Sequence, residues 1–215
     1  MKAEARNLST RIVKRVDVRY WLWLPRPRPA WRVPLLLFLH GAGERGDDLQ
    51  LVLKHGPPRL LAAGRRFPFA VLAPQCPAGE GWQPDTLQAL LDDVSARHRI
   101  DAARIYLMGL SMGGMGTWAL AHACPERFAA IAPICGLYTW VDARRFRGFP
   151  TWCFHGALDP VVPVGESVRM VNALREHGAK VRFTVLPDAA HDCWTPVYAG
   201  AELYAWLRRH ARSRA

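Results

Sequence analysis

RIYLMGLSMGGMGTWALA (Arg104–Ala121) begins as a strand and ends as a helix with a single tight turn between. Ile105, Tyr106, Leu107 and Met108 form an unbroken apolar run, which suits a strand covered on both faces. Met112–Ala123 reads as a helix, and Pro125 closes it. The two are joined by Gly109-Leu110-Ser111-Met112-Gly113, a G-x-S-x-G pattern. So tight a turn tolerates only small side chains two residues either side of the serine. It leaves the serine hydroxyl exposed at a strand end, beside the free N–H groups of a helix N-terminus. With 17 glycines and five serines in 215 residues, chance supplies about 0.03 such patterns per chain. The plain alternative is a glycine turn that merely packs a helix close to a strand.

Further out, strands and helices alternate. Leu35–Leu39 is a second continuous apolar run, ending in His40-Gly41-Ala42-Gly43. Arg11–Leu24 places β-type residues on alternate positions and reads as one or two strands, with PRPRP (Pro25–Pro29) as a turn. Ala70–Ala73, Ala129–Ile134, Thr151–His155 and Val181–Leu186 read as strands. Asp85–His98 predicts a helix, because Leu87, Leu90, Leu91 and Val94 recur at i, i+3, i+4 and i+7. Glu166–His177 and Pro196–Arg209 predict two more, the last with proline in its first turn. This order implies right-handed βαβ units, a mostly parallel sheet and one α/β domain over residues 1–215, with chemistry at the carboxyl ends of the strands.

A serine needs a base, and the base an orienting acid. Downstream of Ser111, Thr151–His155 runs into Gly156-Ala157-Leu158-Asp159, and Val181–Leu186 runs into a loop carrying His191. Gaps of 48 residues (159 − 111) and 32 residues (191 − 159) each accommodate βα units. Ser111, Asp159 and His191 are therefore the candidate catalytic set. Of the competitors, His155 reads as structural, Asp188 and Asp192 as loop caps, and His40 as a brace for its own loop. Glu44 and Arg45 read as a local pair. Met112, following the serine, is the first oxyanion donor. Ala42 is the choice for the second, with Gly43 close behind. Gln75 is a candidate substrate hydrogen-bond donor. Trp82, Trp140 and Trp194 are candidates to line the pocket, against the alternative that they are core or rim filler. Without H-x-x-x-H or C-x-x-C spacing, no metal site from His40, His155 and His191 is expected, and no cofactor.

Half of the residues are apolar and 22% are charged, which excludes a largely disordered or collagen-like chain. No apolar run reaches the roughly 18–20 residues of a membrane span, so no membrane association is expected. The N-terminus shows no secretory signal. Five cysteines, an odd number without paired spacing, point to reduced thiols and a cytoplasmic location. Residues 1–34 carry nine basic and two acidic side chains, a net +7 of the total +11. Arginine outnumbers lysine 25 to 4, as a coding bias would produce. No Arg/aromatic alternation accompanies the charge, so no nucleic-acid partner is expected.

Taken together, PLLLFLHGAGERGDD (Pro34–Asp48), APQCP (Ala73–Pro77), RIYLMGLSMGGMGTWALA, RFAAIAPICG (Arg127–Gly136), FHGALDPVVPV (Phe154–Val164) and HDCWTPVY (His191–Tyr198) resemble the α/β-hydrolase superfamily. More narrowly, they resemble small bacterial carboxylesterases grouped with dienelactone hydrolases, phospholipase/carboxylesterases and polyhydroxybutyrate-depolymerase-like "predicted peptidases". The resemblance implies a single α/β-hydrolase domain, names Ser111, Asp159 and His191, and admits a homodimer. Only sixteen residues separate Ile134 from Thr151, too few for a large helical lid. The expected substrate is thus a small or soluble carboxylic ester, cleaved through an acyl-enzyme. The alternatives are a peptidase or amidase on the same triad, and a non-catalytic binding module.

Overall fold

The computed structural model describes residues 7–10, 13–27, 29–137 and 141–213. Its strands are β1 (Tyr20–Trp23), β2 (Val33–Leu39), β3 (Ala70–Pro74), β4 (Ile100–Leu110), β5 (Ala130–Ile134), β6 (Pro150–Gly156) and β7 (Lys180–Leu186). They form one sheet in the order β1-β3-β2-β4-β5-β6-β7. Only β1 is antiparallel, to β3. The helices are α1 (Gly56–Ala62), α2 (Pro84–Arg97), α3 (Met112–Ala123), α4 (Val164–Glu176), α5 (Trp194–Ala199) and α6 (Glu202–Arg208).

The apolar runs of β2 and β4 are continuous because both sheet faces are covered. Leu35, Leu37 and Leu39 enter one core layer with Ile105 and Leu107, against Leu87 and Leu91 of α2, Trp118 of α3 and Leu174 of α4. Leu36 and Phe38 enter the other with Tyr106 and Met108, against Tyr198 of α5 and Leu207 of α6. The last five side chains of β2, Leu35–Leu39, are fully buried, each stabilising the fold by about 1.5–3 kcal/mol relative to exposure. The architecture is the α/β-hydrolase sheet expected from the sequence.

Several elements differ from expectation. The N-terminal strand is only β1, because its partner β3 offers just Val71–Pro74 for pairing; Arg11 and Ile12 lie outside the described residues. The last helix divides into α5 and α6, because Gly200 is extended (φ −67°, ψ 164°). The 3₁₀ turn Leu49–Lys54 and helix α1 stand where no element was expected. Glycine and prolines at residues 56–58 read as loop in sequence, but prolines in a first turn favour a helix.

From β2 the chain moves outward to β3, then returns to place β4 on the other side of β2. The carboxyl ends of β2 and β4 therefore flank the point where the winding reverses, the place where open α/β sheets bind ligands.

Candidate active site

Ser111 stands between β4 and α3 with φ 52° and ψ −118°, a backbone region that non-glycine residues adopt only at a cost of about 1–3 kcal/mol. Its surroundings hold it there. Its N–H donates to Ile134 O at 2.9 Å, and its carbonyl accepts from Met115 N at 3.0 Å. The flanking glycines are steric necessities. A Cβ on Gly113 would lie 2.0 Å from the Leu39 carbonyl oxygen, and one on Gly109 would lie 2.3 Å from Gly113 O.

Asp159 follows β6 and His191 follows β7. The loops carrying them are laced together by Ala157 N–H to Leu186 O (2.9 Å) and Leu158 N–H to Ala189 O (3.0 Å). His191 Nε2 is 3.0 Å from Ser111 Oγ, and His191 Nδ1 is 2.8 Å from Asp159 Oδ2. Asp159 Oδ1 accepts from Val161 N and Val162 N, both at 2.9 Å. Burial pushes the Asp159 carboxyl up, but the hydrogen bonds from His191, Val162 and Val161 outweigh it and hold it below the ordinary value. An ionised acid, an imidazole and a hydroxyl thus lie in one line.

The oxyanion candidates fall beside this line, since Leu39 is in register with Gly109. Met112 opens α3 and Ala42 opens the 3₁₀ turn Ala42–Glu44. First-turn N–H groups have no acceptor within their own helix. Gly41 N–H differs: it donates to Glu44 Oε2 at 2.9 Å. Arg45 does not pair with Glu44, contrary to the sequence reading. Its Nε donates to Ala42 O at 3.0 Å and its Nη1 to Glu80 O at 3.1 Å, so the guanidinium braces the loop from outside. The buried Glu44 carboxylate instead caps Gly41 and lies 3.7 Å from His55 Nε2. His40 also braces this loop. Its Nδ1 meets Gly41 O at 2.6 Å and its Nε2 accepts from Cys76 N at 3.0 Å. Burial pulls this imidazole down to about 4, against the Gly41 carbonyl, with the Arg45 charge adding to the fall.

Gln75 and Trp82 aim their donors at backbone carbonyls of the 40–48 loop. Gln75 Nε2 donates to Glu44 O (3.0 Å) and Asp48 O (2.7 Å), which occupies both amide hydrogens. Trp82 Nε1 donates to His40 O at 3.1 Å. The two side chains share a pocket of about 240 Å³ with Lys14–Val18, Glu80 and Thr86, and no triad residue lines it. Both therefore buttress the loop from His40 to Asp48. Trp194 stands edge-on to His191, with ring centroids 5.2 Å apart, and edge-on to His55 at 5.5 Å. Trp140 lies outside the described residues. Asp192 accepts from Thr195 N (3.1 Å) and Thr195 Oγ1 (3.0 Å) at the start of α5, as a loop cap does.

Among the described residues one trio of potential metal ligands converges: Cys135, Asp159 and His191, with ligand atoms within 4.8 Å. The Cys135 thiol is pushed well up by its hydrogen bond with Cys193 and by burial, which disfavours the thiolate that a metal requires. Asp159 and His191 are bonded to each other.

A family model described as Phospholipase/Carboxylesterase matches residues 83–200, a span holding Ser111, Asp159 and His191 and more than half of the chain. The chain belongs to the phospholipase/carboxylesterase family. Among solved structures, this family member is similar to a thermostable esterase, with 36% identity, a TM-score of 0.78, and coverage of 92% of this chain and 60% of that one. Esterase PE8 shares the fold at 22% identity and a TM-score of 0.68, with coverage of 90% of this chain and 99% of that one. Among curated proteins, a bifunctional acetylxylan esterase/xylanase of Neocallimastix patriciarum is 30% identical over 136 residues, 60% of this chain and 20% of that protein. A poly(3-hydroxyoctanoate) depolymerase of Pseudomonas fluorescens is 28% identical over 195 residues, 79% of this chain and 65% of that protein. The chain thus spans between a fifth and two-thirds of these two curated relatives.

Proposed function

We propose that this phospholipase/carboxylesterase family member is a serine carboxylesterase that cleaves small or soluble carboxylic esters through an acyl-enzyme. The observation that carries this reading is the unbroken line from Ser111 Oγ to His191 Nε2 at 3.0 Å and from His191 Nδ1 to Asp159 Oδ2 at 2.8 Å. Ser111 Oγ attacks the ester carbonyl as its proton passes to His191 Nε2. Asp159 stabilises the resulting imidazolium, and the oxyanion is held by the N–H groups of Met112 and Ala42. Collapse expels the alcohol, which takes the proton from His191. Water then repeats the sequence on the acyl-enzyme, releases the acid and regenerates Ser111.

The surroundings support an ester of open shape. Leu158 and Val161, either side of Asp159 in sequence, are 65% and 64% exposed and offer an apolar rim. After β5, the 3₁₀ turn Ala143–Phe146 is anchored to the core by the fully buried Phe146. The odd count of five cysteines, all buried, supports residence in a reducing cytoplasm.

A short-chain p-nitrophenyl ester should show a burst of nitrophenol followed by slower turnover, and a fluorophosphonate should label the peptide containing Ser111. The matched anilide should turn over far more slowly than the ester. Absence of labelling and of ester turnover would refute the proposal, and a faster anilide would reassign the triad to amide hydrolysis.

A further inference from the structure

A second histidine stands behind the triad. His155, on β6, is wholly buried. Its Nε2 lies 2.8 Å from Val162 O and 3.3 Å from Asp159 Oδ2, the same carboxylate oxygen that meets His191. Its Nδ1 lies 2.7 Å from Ser167 Oγ of α4, and Cys153 Sγ lies 3.5 Å from that oxygen. A carbonyl and a carboxylate only accept, so Nε2 must carry a proton. Nδ1 is then satisfied by the Ser167 O–H, while the Ser167 oxygen accepts from the Cys153 thiol. Each polar side-chain atom of this hydrogen-bonded cluster thereby has a partner.

We propose that His155 is a positioning residue for hydrolysis, locked by Ser167 into the tautomer that sets its Nε2–H against Val162 O and the Asp159 carboxylate. The inference rests on the esterase reading of the triad. It assigns His155 two effects. The bond to Val162 O fixes the turn whose N–H groups hold Asp159 Oδ1, and thereby fixes the direction from which Oδ2 addresses His191. The positive end of the N–H dipole beside Oδ2 also shares the carboxylate's charge. The imidazolium form of His191 is therefore stabilised less than by Asp159 alone. The other titratable groups facing this cluster are thiols: Cys153 on β6, Cys135 after β5 and Cys193 before α5, all buried. Burial pushes Cys153 up to about 12, and the bond with Cys193 raises Cys135 further. Both are neutral across the working range. On α4, Glu166 is paired with Arg169.

The test compares the parent protein with His155→Leu, His155→Gln and Ser167→Ala on a p-nitrophenyl ester from pH 5 to 9. His155→Leu should lower kcat about tenfold with KM within about twofold, and should shift the acid limb of kcat/KM to higher pH. His155→Gln, whose amide N–H replaces Nε2–H, should restore most of both. Ser167→Ala leaves the β6 ring in place but unlocks its tautomer, so it should move the limb in the same direction even if the leucine variant does not fold. Should kcat and the acid limb stay at parental values in Ser167→Ala, or His155→Gln behave no better than leucine, the inference is overturned while parental turnover keeps the esterase reading. A parent without Ser111-dependent turnover overturns both.

Discussion

Ser111 stands in a backbone conformation that serine ordinarily avoids, and that geometry separates it from the other four serines of the chain. Ser111→Ala keeps the glycine-flanked turn and removes only the hydroxyl. Its kcat on an ester should fall by about 10³-fold or more, with the melting temperature little changed; an unaltered kcat would remove Ser111 from the mechanism. The rate should also decline towards low pH, because only an unprotonated imidazole accepts the serine proton. Asp159 is held below the ordinary carboxylate value, so it remains ionised through that decline, and a single limb between pH 8 and pH 5 is expected. At this scale the sequence was informative where chemistry constrains neighbours along the chain. Ser111 is announced by two glycines, and Asp159 and His191 by strand ends. Gln75 and Trp82 were not legible in the same way. Their donors turn towards backbone carbonyls of the 40–48 loop, and no local pattern records the direction of a side chain. Glu44 is a similar case. An adjacent Arg45 suggests a pair, yet the carboxylate folds back onto Gly41 N–H as soon as the loop closes.

At the scale of elements, the turn between β4 and α3 is governed by steric exclusion. Gly113→Ala would place a Cβ 2.0 Å from a backbone carbonyl of β2, a collision that no side-chain rotation relieves. That variant should be destabilised by more than about 4 kcal/mol or accumulate as insoluble protein; a soluble variant with parental stability would contradict the packing. Strand β2 allows a milder test. Leu37 is fully buried between helix layers, and Leu37→Ala should cost about 2–5 kcal/mol, read as a lowered urea midpoint with the slope unchanged. Helix α1 shows why an element can escape a sequence reading. Gly56 adopts φ 62°, and a Cβ there would meet the Phe38 ring at 2.5 Å. The residues that look like a loop are selected by contact with β2, not by helical periodicity. The division of the last helix at Gly200 reflects the opposite case, in which periodicity persists across a break that a single extended residue introduces.

For the whole molecule, the clearest pH dependence of stability comes from His40. Its folded value is lowered to about 4, whereas an unfolded histidine titrates near 6.5. Between these values the unfolded chain binds a proton that the folded chain refuses. Stability should therefore fall by about 3 kcal/mol as pH drops from 6.5 to 4, and change no further below that from this group. Asp159 adds a loss on the same side: its carboxyl is held below the ordinary value, so its contribution is present above that value and disappears as pH falls through the lowered one. Thermal unfolding across this range should show the decline, and His40→Gln should flatten it; an equally steep curve in the variant would place the effect elsewhere. By itself the sequence determined the alternation of strands and helices, the two-sided burial of the central strands and the glycine-flanked turn that carries the candidate nucleophile. Each of these follows from the period of apolar residues or from glycines demanded by a neighbour along the backbone. Tertiary structure alone decided which strand lies beside which, and hence that residues 80 positions apart come within 3.0 Å. It also decided that Gln75, Trp82 and Glu44 brace the loop from His40 to Asp48 and that His155 lies against Asp159. Such contacts depend on side-chain direction across the sheet, a property that exists only once the layers have packed.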